Sequence, residues 1–174
     1  IQAVAKRLKY IPDPHLSALA AYKNSQRPVG FLANLAWITN FPREEGWREN
    51  PHFPAYHAGA KTRAAELGYG LDTIWLPGVQ AIGKSPSQVL RNRSIRGLLL
   101  PPQPTPNTAL DLDWDDFSAV SFGFTLTRPS LHNVAIDHFR SIQKLLRELH
   151  RLGYRRPRLL LSLKSDQRVS FAWS

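Results

Sequence analysis

The chain has 174 residues, about the length of one domain, and its 43% hydrophobic and 21% charged residues are the balance of an ordinary globular protein. The sequence contains no apolar run of about 18 residues and no apolar segment near its start, which excludes a membrane-spanning protein and a secretory signal. Cysteine is absent, which excludes disulfides, thiolate metal sites and thiol nucleophiles. Methionine is absent too, so we expect the chain to be a piece of a longer protein.

Residues 1–28 contain helical patterns interrupted by proline. The first pattern stops at Pro12-Asp13-Pro14, and Pro14 is well placed to begin a second helix that ends near Ala20. A helix this short is unstable alone in water, where about 12 residues are needed. It therefore needs a partner in order to form.

The net charge of +10 is concentrated in two segments. The first segment holds Lys6, Arg7, Lys9, Lys23 and Arg27 against Asp13 alone. The second holds Arg140, Lys144, Arg147, Arg151, Arg155, Arg156 and Arg158 against Glu148 alone. The basic residues from 140 to 151 recur at helical spacing opposite apolar ones, a pattern typical of the solvated face of an amphipathic helix.

From Val29 onward, short apolar runs alternate with helical patterns. The runs predict strands over residues 29–33, 71–76, 95–100, 119–124, 132–136 and 158–163. The helical patterns lie over residues 51–67, 86–93 and 137–152, with a single turn over 112–117. This alternation is typical of βαβ units and predicts an α/β fold, an open parallel sheet with helices on both faces.

Residues 35–50 are too many for an ordinary loop between a strand and a helix. They leave the carboxyl end of the first predicted strand, where open α/β sheets bind ligands. Trp37 and Trp47 lie there among hydrogen-bonding side chains, a combination that suits a sugar. The alternative is a surface loop pinned by its two tryptophans.

Several segments resemble, in the correct order, the lactose repressor/galactose repressor family of bacterial transcription regulators. The first is Leu8-Lys9-Tyr10-Ile11-Pro12-Asp13-Pro14, followed by a short helix ending at Leu19-Ala20, a basic linker and Val29-Gly30-Phe31-Leu32. The others are Asn50-Pro51-His52-Phe53, Ala64-Ala65-Glu66-Leu67-Gly68-Tyr69, Ile95-Arg96-Gly97-Leu98-Leu99-Leu100, Val134-Ala135-Ile136-Asp137 and Leu152-Gly153-Tyr154-Arg155-Arg156-Pro157-Arg158-Leu159. Each match is weak alone, but the ordered set spans nearly the whole chain.

The resemblance implies an architecture and a function. Residues 1–28 would be the end of a helix-turn-helix headpiece and a hinge helix, 29–136 the N-terminal lobe of a periplasmic-binding-protein-like effector domain, and 137–174 the crossover and the start of an incomplete C-terminal lobe. The implied protein is a cytoplasmic homodimeric repressor whose partners are operator DNA and a small-molecule effector, expected to be a sugar. The alternative is a sugar-binding solute receptor of a transport system with the same lobe fold.

At the hinge, the resemblance implies that Leu19 enters the minor groove and pries apart a base step, as apolar wedges do. Leu16, Ser17 and Ala18 would lie on the same short helix near the groove. Three lysines would contact DNA phosphates and raise the affinity for DNA without recognising its base sequence. They are Lys6, Lys9 and Lys23. Alternatively, Leu16 and Leu19 pack on their own domain.

At the effector cleft, the resemblance implies that His52 and Phe53 line the ligand pocket. Asp137 would lie near the cleft hinge, although capping the basic helix is an equal alternative for its carboxylate. Arg168 falls in a segment where the family often places an effector-contacting arginine.

No catalytic motif is present: the sequence has no Gly-x-Ser-x-Gly, P-loop or dinucleotide fingerprint. The remaining histidines, His57, His132, His138 and His150, lack metal-ligand spacing and are interpreted as surface or packing residues. We therefore predict neither an enzyme nor a cofactor or metal site.

Overall fold

Residues 30–173 are described by the computed structural model, and a five-stranded parallel sheet lies at their centre. The sheet consists of β1 (Ala33–Thr39), β2 (Tyr69–Trp75), β3 (Gly97–Leu100), β5 (Ser118–Phe122) and β7 (His132–Val134), in the order β2-β1-β3-β5-β7. Two short strands, β4 (Thr108–Ala109) and β6 (Leu126–Arg128), form a separate parallel pair. The predicted open parallel sheet is thus confirmed.

Five α-helices connect or follow the strands. They are α1 (His52–Glu66), α2 (Leu76–Ala81), α3 (Pro86–Asn92), α4 (His138–Arg151) and α5 (Leu163–Gln167). The sequence signals for two helix starts are confirmed: the Ser85 hydroxyl accepts from the backbone N–H of Gln88, and the Asp137 carboxylate accepts from that of Arg140 at 2.9 Å. None of these helices is both long and apolar enough to cross a membrane.

Each face of the sheet has its own apolar core because strand side chains alternate between faces. On β1, Ile38 belongs to a core with Leu90 of α3 and Leu98 of β3. Trp37, the neighbour of Ile38, belongs to the opposite core together with Phe53 of α1. Helices therefore cover both faces, as predicted.

The first strand lies later in the chain than predicted. Residues 29–33 were expected to form it, but Phe31 and Leu32 are exposed and the strand begins at Ala33. Strand β1 pairs with β2 and β3, and Trp37 and Ile38 are fully buried in the cores on the two faces of the sheet, which accounts for the position of the strand. The long segment before α1 is correspondingly shorter and begins after Thr39.

Two further differences concern regular elements. Residues 158–163 were predicted as a last strand, yet they pair with no strand of the described chain, and Leu160 is 98% exposed. An apolar run forms a strand only where a neighbouring strand supplies hydrogen bonds. The sequence also gave no signal for α2 or for the β4 and β6 pair.

The predicted hinge segment lies outside the described residues. The positions concerned are Lys6, Lys9, Leu16, Ser17, Ala18, Leu19 and Lys23. Their roles in DNA binding stay predictions.

Truncation of the β3 core residue Leu98 tests the two-core architecture. Leu98 is 1% exposed, so Leu98→Ala should lower the free energy of unfolding by about 2 to 5 kcal/mol in urea denaturation. The matched control is Leu160→Ala at the exposed position, expected to change it by less than about 0.5 kcal/mol. Equal effects of the two substitutions would contradict the described core.

Candidate ligand-binding site

A cavity of about 360 Å³ lies at the carboxyl edge of the parallel sheet. Its lining comes from the starts of α1 and α4, from residues that follow β3, β5 and β7, and from the end of the chain after α5. The lining residues are Asn50, His52, Phe53, Tyr56, Pro102, Phe122, Gly123, Phe124, Thr125, Val134, Ala135, Ile136, His138, Arg168 and Val169. Volume and position are those of a small-molecule site in an open α/β sheet.

One wall of the cavity is aromatic. Tyr56 stacks between Phe53 and Phe122, with ring centroids 6.4 and 6.2 Å apart. Trp37 packs behind Phe122 at 5.5 Å and is itself fully buried. The wall is thus an apolar aromatic surface backed by the core.

Arg168 supplies the only arginine or lysine among the described lining residues. Its guanidinium donates to the carbonyl oxygens of Pro104 at 2.8 Å and Gln103 at 2.9 Å. Burial lowers the pKa of Arg168 from its usual value. These bonds fix the guanidinium at the rim of the cavity and leave three of its five N–H donors available.

His138 lies at the first position of α4 and borders the same cavity. Its ring packs against Trp173 at 5.2 Å and Phe124 at 6.1 Å. Its Nδ1 atom is buried and has no hydrogen-bond partner in the described part of the chain. His138 was interpreted as a surface or packing residue, and its ring contacts with Trp173 and Phe124 are those of a packing residue that also borders the cavity.

The structure brings together three of the six residues predicted to bind the effector. His52, Phe53 and Arg168 all line the cavity although more than a hundred residues separate Phe53 from Arg168 in the chain. Their binding role stays a prediction.

The two tryptophans predicted to bind the effector do not line the cavity. Trp37 and Trp47 are both fully buried, with ring centroids 5.9 Å apart, in the core under α1. This corrects the expectation that they present an exposed stacking surface for a sugar. The physical reason is that Trp37 is a strand residue on the covered face of β1, and Trp47 packs onto it.

Asp137 is also absent from the lining. Its carboxylate caps α4 and forms an ion pair with Arg140, 3.3 Å from the Arg140 Nε atom. The alternative given for Asp137, capping of the basic helix, thus describes its contacts in the structure.

Sequence reasoning did not single out several lining residues. They are Asn50, Tyr56, Phe122, Phe124, Thr125 and His138. A usable signal existed for those that follow strand ends, because the carboxyl ends of parallel strands meet at one edge. Tyr56 had no such signal, since its pattern is equally that of a core residue of α1.

His57 occupies a second aromatic cluster beneath α1, next to the site but outside the cavity lining. Its ring lies 5.2 Å from that of Trp37 and 5.1 Å from that of Trp47. Burial is the main cause that lowers the pKa of His57, and the positive charges of Arg48 and Lys61 lower it further against the opposing effect of Glu45. The neutral form of the imidazole is therefore favoured more in the folded protein than in the free side chain.

No group of three or more metal-ligating side chains occurs within residues 30–173. The cavity lining combines aromatic rings on one side with the guanidinium of Arg168 on the other.

Comparison with known proteins gives one structural likeness to report. No protein-family model and no curated protein matches the sequence. Among solved structures, the chain is similar to the Lac repressor bound to ONPG in the repressed state, at 16% identity and a TM-score of 0.45. The match covers 88% of this chain and 43% of the repressor chain, so this chain spans less than half the length of that protein. At 16% identity the similarity concerns the fold alone and assigns no role to any residue of this chain.

The lowered pKa of His57 predicts how the free energy of unfolding depends on pH. The unfolded chain takes up a proton near pH 6.5, whereas the folded chain does so only at lower pH, so the unfolded state binds more protons between these values. The contribution of His57 to the free energy of unfolding should therefore rise as pH increases through that window and be lost at lower pH. Denaturant unfolding between about pH 5 and 8 measures it.

The variant His57→Gln lacks the titrating group and isolates this contribution. The free energy of unfolding of the wild type, relative to that of the variant, should increase as pH rises. A difference that is constant across the pH range would contradict the assignment.

Proposed function

We propose that this chain is part of a DNA-binding transcriptional repressor whose affinity for operator DNA is controlled by a small-molecule effector bound in the cavity, a sugar in the simplest case. The observation that carries the proposal is the composition of that cavity. Its aromatic wall comes from α1 and β5, whereas His138 and Arg168 come from the chain after residue 137. A ligand contacting both sides would favour one relative placement of these segments over another.

The DNA-binding end of the proposal rests on the sequence pattern of residues 8–20. Two prolines precede a predicted helix that would be too short to be stable alone, and basic residues flank it on both sides. Contact with DNA would supply the partner that this helix needs, with Leu19 as the wedge and the flanking lysines as phosphate contacts.

The proposed working form is a homodimer in the bacterial cytoplasm. Two headpieces related by a two-fold axis would bind the two half-sites of a palindromic operator. Effector and DNA would then alter each other's affinity by the same factor, about 5- to 150-fold for coupling energies of 1 to 3 kcal/mol.

The test is a gel-shift titration of the full-length protein on its own upstream DNA, with and without a panel of sugars. Leu19→Ala should weaken specific binding by about tenfold or more, because an alanine cannot replace base stacking. The control Leu160→Ala removes the same atoms from an exposed position and should leave binding unchanged. One sugar should shift the midpoint of the wild-type titration.

Two results would contradict the proposal. Sugar binding without any DNA retention at low salt would favour the solute receptor of a transport system. DNA binding equal in wild type and Leu19→Ala would remove the wedge from the mechanism.

A further inference from the structure

One face of α4 carries positive charge along the length of the helix. Its four basic residues recur every three or four positions, which places them within an arc of roughly 60° around the helix axis. Ile142, Leu145 and Leu149 lie on the opposite face. Any surface that covers the apolar face would therefore leave the basic face in solvent. The four basic residues are Arg140, Lys144, Arg147 and Arg151.

Negative charge neutralises only the two ends of this face. The carboxylate of Asp137 pairs with Arg140, and the carboxylate of Glu148 pairs with Arg151. Glu148 is the only acidic residue between positions 138 and 158. The middle of the basic face is thus left without a counter-charge from α4 itself.

The two central cations, Lys144 and Arg147, are exposed and form no ion pair within residues 30–173. Arg147 has one side-chain partner, the neutral amide oxygen of Gln143, 3.4 Å from its Nη2 atom. Both charges are therefore available to an external anion.

The positive charge continues beyond the end of the helix. Arg155, Arg156 and Arg158 follow within seven residues of Arg151, all exposed and none in an ion pair within the described chain. Together with the four basic residues of α4 they form what we call the basic surface. It holds seven cations against one nearby carboxylate on the same stretch of chain.

Such an arrangement is unfavourable for the protein alone. Like charges three or four positions apart on a helix repel and destabilise it, and Lys144 has such a neighbour on each side. A surface that only has to keep a protein soluble carries charges of both signs interspersed. A polyanion bound along the basic surface would remove the repulsion.

The length of the basic face matches a dense, linear polyanion. From Arg140 to Arg151 the helix rises about 16 Å, at 1.5 Å per residue. Over about 16 Å, duplex DNA presents about ten phosphate charges, so each cation can find a phosphate oxygen without a fixed register. Clustering of lysine and arginine along one helix face is the electrostatic pattern of nucleic-acid binding.

We propose that the basic surface binds the phosphate backbone of duplex DNA without recognising its base sequence. Lysine and arginine form charge-assisted hydrogen bonds with phosphate oxygens, and such contacts hold a duplex but do not identify its bases. This surface is separate in the chain from residues 1–28, which the proposed function assigns to operator recognition. It gives the protein a second contact with DNA.

The test measures binding of the full chain to a fluorescein-labelled duplex of mixed sequence, about 20 base pairs long, by fluorescence anisotropy between about 50 and 200 mM KCl. The variant Lys144→Gln/Arg147→Gln should bind about tenfold more weakly at about 100 mM KCl. The slope of log K against log salt should fall by about 1.8, or about 0.9 for each lost phosphate contact. Circular dichroism should show that the variant keeps its helix, since glutamine is a good helix former.

The matched control is Lys84→Gln/Arg93→Gln. It removes the same two residue types and the same net charge from exposed positions around α3, neither of which forms an ion pair within residues 30–173. We expect it to change DNA affinity less than twofold and to leave the salt slope unchanged.

Three results would overturn the inference. Equal losses in the two double variants would assign the effect to net charge alone, and an unchanged Lys144→Gln/Arg147→Gln variant would place all DNA contacts elsewhere. Wild-type affinity for poly-glutamate equal to that for DNA would identify an acidic protein as the fitting partner. Retention of mixed-sequence DNA by a protein without operator preference would sustain this inference while the repressor proposal fails, so the two are tested separately.

Discussion

The parallel pairing of β1 with both β2 and β3 is the constraint on which the rest of the structure depends. Trp37 pairs in register with Thr73 on one side and Leu99 on the other, so β1 lies at the interior of the sheet. Because successive side chains point to opposite faces, Ile38 enters one core and Trp37 the other. Both faces of the sheet are therefore apolar and must be covered by helices, which follow the ends of the strands.

The cavity is a consequence of that arrangement. A parallel sheet brings the carboxyl ends of its strands to one edge, where the connections to the next elements diverge and leave a space. Here the space is bounded by aromatic rings that the Trp37 core supports from behind, and by Arg168, which two backbone carbonyls hold in place. Packing and hydrogen bonds thus position the aromatic wall and the guanidinium, which would reduce the ordering cost of the proposed ligand binding.

Much of this fold was predictable from local signals. The helix of residues 52–66 follows from its apolar spacing and the Asn50-Pro51 start, and the Asn50 side chain indeed accepts from the His52 N–H at 3.0 Å. The basic helix after Asp137 follows from the same kind of evidence. Of the site, His52, Phe53 and Arg168 were singled out, but only through a resemblance of sequence segments, since no local pattern connects residues so distant in the chain.

The sequence by itself determined the class of fold and the helices α1, α3 and α4, because hydrophobic period and capping residues act over a few positions. Tertiary structure alone decided where β1 begins, since only pairing with two neighbours buries Trp37 and Ile38 together. It also decided that two tryptophans belong to a core and that His138 belongs to a cavity. An indole or an imidazole is equally suited to a core and to a ligand site, and only the neighbours brought in from distant segments choose between them.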